Sequence, residues 1–416
     1  MLTRYCGRKA RHKMKRKNIF LSGPILSRPV AAVALLYVVW LGEPAKVVGQ
    51  ASVDRGDDVL MVAAVGPGNT IVHSQYGGQI FGFDIDQNGT EGVLSEAQDF
   101  GGGKVLAAVE TFDRTTGKIL KVVQKLETKD DFLTLGIVGT SLGLVEHEHV
   151  QGIYVVSRIY EELKPLNSNK FTSTWTPPLA KNDIIMGVSQ SQGFSTTAVL
   201  ASENGGSNST FVFGSNVAAN TFGRLITLTD PVFTISPVMA FDTKTNQAVV
   251  AAATGAVGGP PPKLALVNLT TGTVTEFTGI PGPPPYRQGY VNGIAVDSED
   301  GIACTTTEID ARVEFYNLKT KTGFAVALPG GAGQYQSGEN VEYDAVHKLF
   351  LVAQPNSSTG PGSSIQVYDT QGNLVESLNG FSFPVSTNAM FALHPSDRSG
   401  YVYGPSGMAE IQSFTY

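Results

Sequence analysis

The chain has 416 residues, 42% hydrophobic and 16% charged, with 47 Gly, 22 Pro and 2 Cys. That apolar content supplies a large core, and cysteines at 6 and 304 exclude both a disulfide framework and every zinc-finger spacing. Residues 1–51 hold ten of the 30 Lys/Arg and one of the 36 acidic residues, so 52–416 carries 20 basic against 35 acidic residues, net −15; a body this acidic repels phosphate backbones and excludes nucleic acid as a partner.

In chain order, nine Lys/Arg and no acid precede Pro29, followed by the apolar run Val30–Leu41 and the small residues Gly49 and Ala51. A basic segment, a short apolar core and a small-residue cleavage site describe a secretory signal peptide over 1–51. Twelve apolar residues reach about 18 Å as a helix, short of the ~30 Å hydrocarbon layer. The expectation is an exported protein, periplasmic, cell-surface or secreted. A membrane enters only if the segment is retained as an anchor.

From residue 57 onward helical periodicity is almost absent, and short Val/Ile/Phe/Thr-rich runs alternate with Gly, Asn-Gly and Thr-Gly turns. Two hairpin elements repeat. The first ends a strand in Asp before a tight turn, at Asp242, Asp297 and Asp344, with a degenerate copy at His394. The second ends a strand in Asn or Asp before a Thr/Gly turn, at Val109–Val123, Leu264–Phe277, Val313–Leu328 and Ile365–Leu378. They alternate with a period near 50 residues, which is a four-stranded propeller blade. The fold expected for 52–416 is a single all-β domain, a β-propeller of seven four-stranded blades with six as the alternative. Its blades are read at 70–128, 132–178, 183–230, 235–279, 290–330, 337–380 and from 385, the last completed by Asp58–Val65 from the N-terminal side. The Pro-rich runs at 258–262 and 279–286 read as rim loops.

The run Asn292-Gly-Ile-Ala-Val-Asp297 resembles the NHL-repeat pattern, and Asp310–Tyr316 is similar to the outer hairpin of senescence-marker/gluconolactonase-type propellers. The likeness covers about residues 235–405. It implies a propeller with a metal in its funnel, in which Asn292 of Asn292-Gly293-Ile294 matches a metal-ligating Asn. Glu339 or Asn340 falls in the next blade, where that family places an acidic ligand and general base. The chain departs from the family in lacking a clear Pro-Asp-Gly there.

Read from the residues alone, positions just before the innermost strands line the funnel: Pro237, Asn292, Glu339, Asn340 and Asn388. Convergent amide and carboxylate oxygens at Asn292, Asn340, Asn388 and Glu339 suit calcium or another divalent cation, and the resemblance implies Glu339 as the general base beside it. A second cation candidate is Asp84-Ile-Asp86-Gln-Asn88-Gly89, whose oxygens at positions 1, 3 and 5 match half a calcium loop; the competing reading is a hairpin turn. Same-face His147 and His149 lack an evident third ligand, and Cys304 reads as a core residue. No complete catalytic set is visible. The function expected is therefore a monomeric, non-catalytic platform for a protein or small-molecule ligand, with a metal-dependent lactonase-like hydrolase as the alternative.

Overall fold

The apolar runs bounded by Asp, Asn and Gly become antiparallel strands. The computed structural model describes residues 65–86, 89–100, 104–129, 131–132, 137–138, 144–151, 154–162, 173–175, 178–179, 183–189, 196–203, 209–216, 219–255, 260–281, 289–307, 311–330, 340–356, 362–383, 391–405 and 407–416, without the side chains of 126–175 and a few single positions. Among these residues the strands pair into seven sheets. Six have describable packing and form propeller blades: 79–129, 184–228, 238–278, 291–327, 340–381, and a blade joining 392–415 to 66–73. The seven blades expected first from sequence are thus corrected to six, the alternative count. A further sheet spans 131–175 through its backbone pairing.

Within a blade, burial is greatest on the second and third strands and least on the outermost. The second strands Thr197–Ser202 and Leu349–Gln354 are buried at every position, because neighbouring blades cover both faces. This is why they read as near-continuous apolar runs rather than alternating ones. The outer strand Thr322–Ala327 is exposed at every position except Val326. Apolar side chains from adjacent blades fill the wedges between them: Phe241, Val250 and Val267 on the 184–228 blade, Ala303 and Tyr316 against the 238–278 blade, and Phe350 and Val352 against the 291–327 blade.

The ring is closed by Gly66–His73, which pairs antiparallel with Gly407–Thr415 as the outermost strand of its blade. Sequence reasoning placed this strand at Asp58–Val65, whose residues before Val65 lie outside those described. The correction has a physical cause. An outermost strand pairs along one edge and packs on few side chains, so GPGNTIVH suffices where an apolar run was sought. Residues 70–73, assigned from sequence to the first blade, thus belong to the last, and the first blade starts at Gln79. Closure is also held by side chains: Tyr403 donates from its hydroxyl to Ile80 O at 3.0 Å, Tyr401 to Arg114 O, and the Phe83–Tyr403 and Phe112–Tyr401 rings meet edge to face at 5.6 Å.

The repeated Asp and Asn residues are turn caps. Asp242 Oδ1 accepts from the amides of Lys244 and Thr245, Asp297 Oδ1 from Glu299 and Asp300, and Asp344 Oδ1 from Val346 and His347. Asp113, Asn268, Asn317 and Asp369 do the same in the second hairpins. A short oxygen-bearing side chain that mimics a backbone acceptor is what such a turn requires.

Candidate functional site

Antiparallel order places the turns within each blade's two hairpins on one face and the remaining links on the other. The hairpin turns are tight: 243–246, 269–273, 298–301, 318–321, 345–348 and 370–373. The opposite face carries the strand ends that the longer stretches 253–262, 279–290, 328–339, 355–362 and 382–391 join. Variable loops on a rigid scaffold are where binding residues concentrate.

Buried polar side chains pin the roots of these connections. Arg312 donates from Nη1 to Pro281 O at 2.9 Å and from Nη2 to Ile280 O at 3.1 Å, while Tyr316 Oη accepts from the Ile280 amide at 3.1 Å. The Arg312 guanidinium also pairs with the fully buried Glu314 carboxylate, which accepts from the Tyr316 hydroxyl at 2.5 Å. Gln354 Nε2 donates to Pro329 O, Thr210 Oγ1 to Phe233 O, and Ser363 Oγ to Phe383 O. At the 74–78 link, Glu96 accepts from the amides of Tyr76 and Gly78, and Glu110 from that of Gln75. Both carboxyls are fully buried. Burial pushes Glu110 up to about 8 against the Gln75 amide that favours its charge, and the neighbouring Glu96 raises it further. At neutral pH Glu110 is therefore protonated and can share its proton with Glu96.

These groups escaped sequence reasoning, though a signal existed. Glu110, Glu314 and Gln366 each stand three residues before a turn-capping Asp or Asn, on the third strand of their blades. Gln366 is likewise networked, donating to Gln354 Oε1 and accepting from Ser377.

Two of the funnel residues expected from sequence come together. Asn292 and Asn340 begin neighbouring innermost strands and are half-buried. Between them a bulge at Val291/Gly293 brings the backbones so close that a Cβ on Gly293 would lie 2.9 Å from Asn340 Cα. Asn340 Oδ1 accepts from the Val341 amide at 2.7 Å. Glu339 and Asn388 lie outside the described residues. Glu342, two positions along the strand from Asn340 and so on the same side, was not anticipated; it is water-accessible, yet surrounding protein pushes its carboxyl up to about 7.

The Asp84–Gly89 segment sits at the opposite end, on the tight-turn face. Asp86 stands at the first-hairpin position held elsewhere by Asp242, Asp297 and Asp344: its amide donates to Glu91 O at 2.8 Å, and its carbonyl accepts from Gly89 at 3.3 Å. Asp84 Oδ1 accepts from the Ile85 amide. Asn88 lies outside the described residues, as do the side chains of His147 and His149. Among the described residues no group of three His, Cys, Asp or Glu is arranged to hold a metal ion, and no helix is long and apolar enough to cross a membrane. Cys304 is fully buried, and burial pushes its thiol well above the usual range.

The long-loop face also exposes aromatic side chains. Phe100 is 57% and Tyr290 38% accessible. Tyr290 stands over Gly255 of the preceding blade, where a Cβ would be 2.5 Å from its ring.

No family model matches the chain, and no curated protein matches it. Its fold is similar to solved propellers. One is a chain of the mitotic checkpoint complex, with a TM-score of 0.55 and 10% identity over 88% of this chain and 97% of that one. The WD40 repeats of RRP9 give 0.54 and 11% over 85% and 99%. A chain of hydrazine synthase from Kuenenia stuttgartiensis gives 0.54 and 11% over 83% and 97%. At these identities the likeness establishes the propeller and nothing finer, since one fold hosts many functions.

Proposed function

We propose that the protein is an exported, non-catalytic platform that receives a partner protein on its long-loop face. The observation that carries this reading is the contrast between faces: one is closed by tight capped turns, while the other holds long connections rooted in buried polar clamps, with Phe100 and Tyr290 exposed among them. Large aromatic side chains on a rigid base are the usual anchors of protein interfaces. The WD40-type neighbours, one of them within a multiprotein checkpoint complex, favour the same reading. The signal-like segment over 1–51 supports export.

A photo-crosslinking amino acid at position 100 or 290 tests it, with position 346 on the tight-turn face as control. Adducts are expected from 100 and 290 and not from 346. Binding of the captured protein should fall at least tenfold in Phe100→Ser/Tyr290→Ser. Adducts from 346 alone, or binding indifferent to the double substitution, overturn the proposal.

A further inference from the structure

Sheet edges with unpaired backbone groups invite pairing, and folded proteins blunt them with charge, proline or brevity. The outer strands here mostly do so. Ile119–Lys129 carries Lys121, Lys125, Glu127 and Lys129; Val274–Thr278 carries Glu276; Leu374–Phe381 carries Glu376. Gly66–His73 has Pro67 and a His73 whose Nδ1 lies 3.0 Å from Glu410 Oε2. Thr322–Ala327, sequence TGFAVA, has none of these devices. It pairs with Arg312–Asn317 on its inner side, and Phe324, stacked on Phe315 at 5.2 Å, still leaves 45% of its surface to water. No charged residue follows Lys321 until Glu339.

We infer that this edge pairs with the same edge of a second copy of the chain, making an antiparallel two-fold dimer in which the two blades form one continuous sheet. What selects a second copy is that the edge complements itself. A two-fold axis normal to the sheet preserves the side each residue faces, so residues opposite one another must agree in parity. With Ala325 on the axis, Phe324 lies opposite Val326 of the other copy, and Gly323 opposite Ala327. Aromatic against β-branched is a favoured cross-strand pair, and it occurs twice. Lys319 and Lys321 then fall at opposite ends of the two-strand seam, away from their counterparts. The uncharged stretch lets the copies approach despite their acidic surplus. The result departs from the monomer expected from sequence.

The register makes the test specific. Residues opposite each other in an antiparallel pair have Cα atoms about 4.5–5.5 Å apart, within the 4.4–6.8 Å span of a disulfide, whereas diagonal neighbours lie about 7–8 Å apart. In the full chain carrying Cys6→Ser, Ala325→Cys should cross-link to its own copy on mild oxidation. Phe324→Cys should not, and Phe324→Cys mixed with Val326→Cys should. Sedimentation of the unmodified protein should show a dimer that grows between about 1 and about 100 µM and is lost in Ala325→Lys. That variant places its lysine on an exposed position, and an unchanged melting temperature confirms that it folds. A monomer throughout, a dimer insensitive to Ala325→Lys, or cross-linking as efficient at 324 as at 325 overturns the proposal. The first of these would leave the edge open to an extended segment of another protein.

Discussion

The hydroxyl of Tyr416 donates to Oδ2 of Asp344 at 3.0 Å, across 72 positions of sequence. The same carboxylate caps its own turn through Oδ1 and meets His347 Nδ1 at 2.8 Å. One aspartate thus organises a hairpin and ties the closing blade to its neighbour. Hydrogen bonds to a charged acceptor contribute about 1.5–3 kcal/mol. Tyr416→Phe should lower unfolding free energy by about that amount in urea titrations, with the slope unchanged; a loss below about 0.5 kcal/mol would assign closure to strand pairing alone.

Glu110 gives the fold a pH dependence whose sign follows from its raised pKa. The unfolded chain releases this proton near the ordinary 4.5, the folded protein only near 8. Stability therefore falls as pH rises from about 4.5 to about 8, because the unfolded state ionises first. Glu110→Gln mimics the protonated form and removes that slope. At pH 8 the variant should exceed the parent by about 1 kcal/mol or more, while near pH 4.5 the two should match. Parallel stability-pH curves would show that Glu110 is not the group responsible.

Arg312 and Glu314 form a buried pair that also holds Ile280 and Pro281. Arg312→Met should destabilise by about 3–5 kcal/mol, since it strands a carboxylate in the core. Adding Glu314→Gln should return much of the loss while still removing the two Arg312 bonds to Ile280 and Pro281 at the root of the 279–290 connection. Protease cleavage in that connection would then accelerate in the double variant even where its melting point recovers. Cleavage at the parental rate would contradict the clamp.

Gly301 closes the first hairpin of its blade with φ +71°, and a Cβ there would meet nothing nearer than Lys319 Cε at 3.8 Å. The position is roomy but left-handed, so Gly301→Ala isolates backbone strain at about 1–2 kcal/mol. Gly272 at φ +72° also faces the Arg224 guanidinium, so Gly272→Ala should cost more. Equal melting-point shifts would mean that Arg224 yields freely.

Much of the ring was legible because its landmarks are chemically necessary: a tight turn needs Asp242, Asp297 or Asn317 where a backbone amide would otherwise lack an acceptor. The closing strand was not, since Gly66–His73 buries too little to carry an apolar signature. Glu96 and Glu110 were hidden for the opposite reason. Their carboxyls are held by amides 18 to 35 positions away, whereas Glu314 is held by Arg312 and Tyr316, each two positions away on its own strand, where an alternating strand pattern reads such residues as solvent-facing. Of the funnel residues, Asn292 and Asn340 were readable from strand starts. Glu342, by contrast, sits inside a strand where a solvent-facing glutamate would look the same.

The bond from Gln412 to Gly68 spans 344 positions, which gives synthesis and folding an unusual relation. Until Gly407–Thr415 emerges, Gly66–His73 has no strand to pair with and the final blade cannot assemble. Such long-range pairing is slow and leaves edges open meanwhile. A chain broken anywhere before residue 407 would lose the pairing that joins Gly66–His73 to the final blade, and with it the circumference. Whether Gly407–Thr415 has been made decides whether the preceding blades amount to a ring or an open arc.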